Sequence, residues 1–337
     1  MSIIKTNNNY KENNKNFVNK VLKNYKKLNK NWKKSNYFET EIDDKKIIYI
    51  DETIQNIGAF KIRGATTSIN NIIIKNPKVK SLVCASSGSF GISVANICKK
   101  NNLNCEVFLP KDTSQIKIKK IINQNALINE NNKDYDDAKK NAKKSSRNDN
   151  EKFYIDGCRN DVFWGNGSLV IDLINKYSSL DKKFFSKKIA MILPIGVGSL
   201  ASPSSILLKH FINNSFIITV EALSFCKFYN TFDNKIKPSF EKTIAEGVAV
   251  KKLPSLSYNI LKDAVDYVSI VDENEIIQAM KYLFNNFNIT TEGAGALTTA
   301  LLINNYSFFK NFDYTFIPIC GKNIEQNKFK SILLDNC

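Results

Sequence analysis

A chain of 337 residues, 43% of them hydrophobic, can bury a sizeable core and has room for two structural lobes. No apolar run approaches the roughly 20 residues of a membrane span, and the polar N-terminus lacks the apolar stretch of a signal peptide, so neither a membrane partner nor export is expected. The formal charge of +17 suggests nucleic acid, yet ten lysines and one acid, Glu12, in residues 1–34 account for nine of it.

The excess sits in a basic N-terminal arm over residues 1–34, either a tether to an anionic surface or a solvated segment, and not in a binding face. Only Arg63, Arg147 and Arg159 offer the side chain that phosphate recognition favours, so no nucleic-acid partner is expected. The seven cysteines, at 84, 98, 105, 158, 226, 320 and 337, include no C-x-x-C pair. That argues against a zinc ribbon or a disulfide framework and for a reducing, cytoplasmic setting. His210 is the one histidine, so multi-histidine metal sites are excluded and a Ser-His-Asp hydrolase would depend on it alone. It falls near the end of a predicted helix, where a surface place suits it. Chemistry in this chain calls for an organic cofactor.

In chain order, Phe17, Val18, Val21, Leu22, Tyr25, Leu28 and Trp32 fall at helical spacing and close the arm with an amphipathic helix. Residues 47–50 read as a strand leading to Gly58-Ala59-Phe60-Lys61-Ile62-Arg63-Gly64-Ala65. A lysine amine is a nucleophile only when unprotonated. Burial by Phe60 and Ile62, with Arg63 as a neighbouring cation, would lower the pKa of Lys61. That is the setting of a Schiff-base lysine, although a solvated surface charge is the plainer reading of any one lysine here.

Residues 81–84 read as a strand and 92–100 as a helix, joined by Ser86-Ser87-Gly88-Ser89-Phe90-Gly91. Such small residues let backbone N–H groups converge on an anion such as a carboxylate, or make an ordinary serine-capped turn. A strand over 105–109 stops at Pro110; helices over 114–124 and 134–145 and a strand over 153–155 follow. The Asn/Lys/Asp/Ser-rich stretch 131–150 is expected to be mobile surface. Strands over 189–195 and 216–220 flank a helix over 204–211. After the first of them, Gly196-Val197-Gly198-Ser199-Leu200 repeats the strand–turn–helix geometry and suits a phosphate, without Walker or G-x-G-x-x-G spacing.

Asp272 and Glu275 form a capping box for a helix to about residue 287, and another helix covers 294–304. A final strand over 316–319 ends on Cys320-Gly321-Lys322-Asn323, whose thiol can face a flat ligand or fill a small apolar gap. The β-α-β-α alternation predicts an α/β protein with parallel, twisted sheets covered by helices, and ligands at the carboxyl ends of the strands.

In order and spacing these segments resemble the pyridoxal-phosphate enzymes of the tryptophan-synthase-β fold class (fold type II), and within it the serine/threonine dehydratase and serine racemase branch. Residues 47–65 resemble the branch's strand and "SFKxRGA" segment, 84–110 its "SSGNHG" loop, helix and strand, and 193–203 its glycine-rich phosphate loop. Thr243-Ile244-Ala245-Glu246-Gly247-Val248-Ala249-Val250 resembles "TIADGIAV", Thr291-Glu292-Gly293-Ala294-Gly295-Ala296 resembles "VEGAGA", and residues 320–323 resemble "CGGN" or "SGGN". The likeness covers about residues 47–325. With it ending there, no appended regulatory domain is expected.

The resemblance implies a two-lobed, three-layer α/β/α fold: a large cofactor-binding lobe from residues 35–79 and 159–337, and a small inserted lobe from 80–158. It implies a homodimer and pyridoxal 5′-phosphate as cofactor. Lys61 would hold the cofactor with Phe60, Ser89 and Glu292 beside it; Gly196, Val197, Gly198 and Ser199 would take its phosphate, and Cys320 would sit at its ring nitrogen. Ser86, Ser87 and Gly88 would face the carboxylate of a small amino-acid substrate, and Ser87 stands where the racemases keep a second base. No metal is expected, although Glu221 lies where some members begin a divalent-cation site.

The implied reaction is β-elimination from L-threonine or L-serine to a 2-oxo acid and ammonia, with Lys61 removing the α proton. β-Replacement of the cysteine-synthase or diaminopropionate-forming kind, serine racemisation and a non-catalytic scaffold are the alternatives. The chain departs from the branch at Ser89 (asparagine there), Phe90 (histidine), Ala59 (serine) and Glu246 (aspartate). These changes bear on substrate identity.

Overall fold

The computed structural model describes residues 3–6, 14–86, 88–147 and 149–334; Ser87 and Cys337 lie outside them. The chain opens with β1 (Ile4–Lys5) and α1 (Lys15–Leu28), which buries Val18, Val21 and Leu28 along the predicted apolar stripe. A hairpin joins β2 (Asn36–Ile42) to β3 (Lys45–Asp51) through Asp43 and Asp44, both at positive φ, the backbone a two-residue hairpin turn requires. α2 (Lys61–Lys75) begins at the singled-out lysine itself.

Strand and helix then alternate: β4 (Ser81–Ala85), α3 (Ser89–Lys100), β5 (Asn104–Pro110), α4 (Gln115–Ile122), β6 (Leu127–Asn132), α5 (Tyr135–Ser145) and β7 (Lys152–Ile155). α6 (Asn160–Asn166) and α7 (Ser168–Leu180) lead to β8 (Ile189–Pro194), α8 (Ala201–Phe211) and β9 (Ser215–Ala222). A long irregular stretch precedes α9 (Ser255–Ala264) and β10 (Tyr267–Val271). α10 (Glu273–Phe287) opens on the predicted capping box, with Asp272 and Glu275 bonding each other's backbone N–H. α11 (Gly293–Asn304), α12 (Tyr306–Phe309), β11 (Tyr314–Ile319) and α13 (Gln326–Leu334) are the last elements among the described residues.

The strands form two sheets. One has the order β1-β10-β9-β8-β11-β3-β2, parallel except at its edges, where β1 and β2 run antiparallel. Its central strands are buried on both faces, so alternate residues feed two cores. Ile48, Ile50, Met191, Leu193 and Phe316 pack with α7 and α8, while Ile47, Tyr49, Ala190, Ile192, Ile317 and Ile319 pack with α10 and α11. The second sheet, β6-β5-β4-β7, is all parallel. Leu82, Cys84, Val107 and Leu109 on one of its faces meet α2, α3 and α4; Val83, Ala85 and Phe108 meet α5 on the other. The protein is thus a mixed α/β fold with helix-covered parallel sheets.

Two expectations change. The described part of the basic arm is built into the fold: β1 pairs with β10, and α1 packs on α6 and α7 with its lysines turned outward. The stretch 131–150 is likewise not bare surface, because Ala138 and Ala142 of α5 are fully buried against the second sheet.

Candidate active site

Parallel strands deliver their carboxyl ends to one side of a sheet, and four such ends meet around Lys61. After β3 the chain reaches Gly58, whose φ of +72° lets it turn sharply. Ala59 bridges to Gly321, Phe60 N–H donates to the Cys320 carbonyl at 3.1 Å, and Lys322 N–H donates to the Gly58 carbonyl at 2.9 Å. The lysine segment is thereby fixed to the end of β11. Lys61 and Phe60 line a pocket that opens to solvent, together with Ser89, Gly196, Val197, Gly198, Ser199, Glu292 and Cys320. These nine expected site residues, scattered over more than 250 positions of the chain, therefore come together in space.

Opposite Lys61, the glycine turn joins β8 to the start of α8, where backbone N–H groups are left without helical partners. Gly198 has φ +78°, and a Cβ there would lie 2.6 Å from the Ser257 Cβ, so only glycine holds this bend. Ser257 Oγ donates to the Val197 carbonyl at 2.6 Å. Asn166 ties the turn to the lysine helix: its Nδ2 donates to the Ser199 carbonyl and its Oδ1 accepts from Gly64 N–H, both at 2.9 Å.

The loop before α3 behaves differently. Ser86 is buried, and its hydroxyl accepts from the N–H of Gly88 and Gly91 while donating to the Gly88 carbonyl. Its side chain shapes the turn instead of facing a ligand. Neither Ser86 nor Gly88 lines the pocket, whereas Ser89, at the first turn of α3, does.

Desolvation in the pocket lowers the pKa of the Lys61 amine; Glu292 opposes the shift and Lys117 reinforces it. Arg63, expected as the neighbouring cation, does not fill that role. Two residues along a helix it points away from Lys61, and all five of its N–H groups are taken by Glu52, Asp172, Ser35 and Ser168. The cation is Lys117 of α4, almost wholly buried and 2.7 Å from Glu246. Desolvation raises Glu292, and burial pushes the Cys320 thiol far up, which keeps it neutral. Cys158 beside the glycine turn is pushed up to about 12 for the same reason.

Sequence reasoning missed Lys117, Asn166 and Asn323, as well as Gly247, Val248 and Ala294, which complete the pocket wall. Asn323 and the last three lie in segments already singled out, and the Gly165-Asn166-Gly167-Ser168 run was the available signal for Asn166. Glu221 is fully engaged: Lys227 Nζ donates to it at 3.0 Å, as do the N–H groups of Phe228 and Tyr229. Among the described residues no group of three or more His, Cys, Asp or Glu stands where it could hold a metal ion, and no helix is long and apolar enough to cross a membrane.

An amine for an aldehyde, amides at a helix start for a phosphate and a neutral thiol are the donors that pyridoxal phosphate needs, so the residues present fit it. The model of the pyridoxal-phosphate dependent enzyme family matches residues 33–321. The biosynthetic L-threonine dehydratase of Pasteurella multocida is 26% identical over 257 residues, 76% of this chain and 48% of that protein. The chain thus spans about half the length of that relative. Serine racemase of Dictyostelium discoideum is 26% identical over 298 residues, 87% of this chain and 89% of the racemase. The solved structure of the processed form of threonine deaminase isoform 2 from Solanum lycopersicum has a TM-score of 0.83 at 20% identity, covering 98% of this chain and 96% of that one, a likeness of fold. Matched along most of its length and furnished with the donors its cofactor requires, the chain belongs to the family of pyridoxal-phosphate-dependent enzymes.

Proposed function

We propose that the protein catalyses β-elimination from L-threonine or L-serine, releasing a 2-oxo acid and ammonia. The observation that carries this reading is a single desolvated amine, Lys61, in one pocket with a glycine turn and a neutral thiol. Family relatives that include threonine dehydratases support it. Pyridoxal phosphate, when bound, supplies an electron sink conjugated to the substrate α-carbon and so makes the α proton acidic. Lys61 Nζ, unprotonated at a lower pH than an ordinary lysine, takes that proton. The amides of Gly196, Val197, Gly198 and Ser199 bind the phosphate. Glu292 and Phe60 wall the ligand, and Cys320 offers the ring nitrogen no counter-charge. Negative charge at the α-carbon is then relieved as the β-hydroxyl takes up a proton and leaves as water, and the released enamine is hydrolysed by water to the 2-oxo acid and ammonia.

The substrate carboxylate is assigned to the Ser86-Ser87-Gly88 segment, where the Ser86 hydroxyl accepts from the N–H groups of Gly88 and Gly91. We assign residues 35–79 and 159–337 to the large lobe and 80–158 to the small one, with closure between them excluding water. The protein is read as a cytoplasmic homodimer; the six cysteines among the described residues are unpaired and five of them are buried, which accords with a reducing compartment.

Serine racemisation is the second reading, favoured by the racemase match that spans nearly the whole of both chains. Incubation with L-serine separates the two. Elimination predicts pyruvate in large excess over D-serine, and the reverse ratio would establish racemisation. Holoprotein that forms neither product from L-serine or L-threonine would sink both and point to β-replacement.

A further inference from the structure

One hydroxyl on the pocket wall has its direction set from outside. Ser89 Oγ accepts a hydrogen bond from Asn323 Nδ2 at 2.7 Å. The Asn323 amide has a single workable orientation. Its Oδ1 receives the Lys120 ammonium at 2.5 Å, and its Nδ2 also meets the Ile57 carbonyl at 3.1 Å. An ammonium is donor-only and a carbonyl acceptor-only, so turning the amide over would oppose like groups on both sides. Asn323 must therefore donate to Ser89, and Ser89 cannot donate back. No hydrogen bond takes the Ser89 proton among the described residues, and Ser89 lines the pocket. Asn323 is 1% exposed and wedged against Gly58, where a Cβ would come within 3.2 Å of its Oδ1, so it has little room to leave this pose.

We propose that Lys120 and Asn323 are positioning residues that hold the Ser89 hydroxyl as a one-way donor into the pocket, aimed at an anionic oxygen of the bound cofactor. A serine hydroxyl rotates to suit its neighbours; fixing its acceptor side from behind commits its proton to the ligand. The relay also joins two parts of the molecule, since Lys120 belongs to α4 and Asn323 follows β11. It rests on the cofactor-pocket reading above.

The visible absorption spectrum of the holoprotein tests this, because it reports the hydrogen bonding of the cofactor's ring oxygen without reference to turnover. Ser89→Ala sets the reference: a shifted band and a cofactor dissociation constant raised about tenfold, the usual scale for a charged hydrogen bond. Asn323→Asp exchanges the donor for an acceptor that captures the Ser89 proton, and should shift the band as far as Ser89→Ala. Lys120→Met should shift it in the same sense and Lys120→Arg restore it. Neither Asn323→Asp nor Lys120→Met should add anything to Ser89→Ala.

A wild-type band in Asn323→Asp and Lys120→Met, beside a shifted Ser89→Ala, overturns the relay, as does an unshifted Ser89→Ala. If the buried Asn323 variant fails to fold, the half-buried Lys120 pair decides alone. Wild-type protein that gains no visible band from pyridoxal phosphate overturns the cofactor reading itself, and the relay with it.

Discussion

Lys61 carries two separable properties, a nucleophilic amine and a cost of desolvation, and each has its own variant. Its folded-state pKa lies below the ordinary 10.5, so between those two values the unfolded chain binds more protons and stability rises with pH. Below both values the group costs the folded state a constant amount. Lys61→Met should therefore melt at a higher temperature than wild type when both are cofactor-free near neutral pH, with the gap closing towards pH 10.5. A lower melting temperature for the variant would contradict the desolvation. Lys117→Met makes the opposite change from a distance: without this cation Lys61 keeps its proton to higher pH. The rate at which cofactor-free protein captures pyridoxal phosphate, followed by its visible band, should then reach its plateau at a higher pH. At this scale the sequence is informative where chemistry sits in contiguous segments, as at Lys61, the glycine turn and Cys320. It is silent on Lys117, whose role depends on which distant element brings it near, and it marks the segment of Asn323 without the contact to Ser89. Arg63 was misassigned because two residues of helix rotate a side chain to another face.

The helix that starts at Lys61 is held by that same arginine. Arg63 is fully buried, paired with Glu52 at 2.8 Å and with Asp172 at 2.8 Å, and so ties α2 to the end of β3 and to α7. Arg63→Ala would leave two buried carboxylates without their cation, a loss of about 3–5 kcal/mol. Urea unfolding of cofactor-free protein measures it; a loss under about 1 kcal/mol, the scale of exposed pairs, would contradict the network. Close helix packing adds to the anchoring, since a Cβ on Gly165 would lie 2.3 Å from the Arg63 carbonyl oxygen. Elements of this kind were the hardest to read from the sequence. α7 buries eight of its thirteen residues and starts without a side-chain cap or a motif to mark it, so it was not anticipated. The central strands and the capping box of α10 were legible because short continuous apolar runs and caps are local signals.

Across the whole molecule, the β-α-β-α rhythm was enough to anticipate helix-covered parallel sheets, but not their edges. β1 is two residues long and β2 pairs antiparallel, so neither gives the signal of a buried parallel strand. Charge was misleading in the same way: the lysines of α1 face outward while its apolar stripe docks, and a count of charges cannot tell a tether from a packed helix. What unites the molecule is the meeting of its parts at the pocket. α4, packed on the face of one sheet, reaches the surroundings of the other through Lys117 on Glu246 and Lys120 on Asn323. Both contacts end on or beside residues that wall the ligand.

The central claim is chemical, and steady-state release of 2-oxo acid from L-threonine and from L-serine, by protein loaded with pyridoxal phosphate, tests it most directly. The account predicts sustained formation of 2-oxobutyrate or pyruvate by the wild type and none by Lys61→Ala, which should also lack the visible band of the bound cofactor. A wild type that binds the cofactor yet releases neither product, or an undiminished rate in Lys61→Ala, would contradict it.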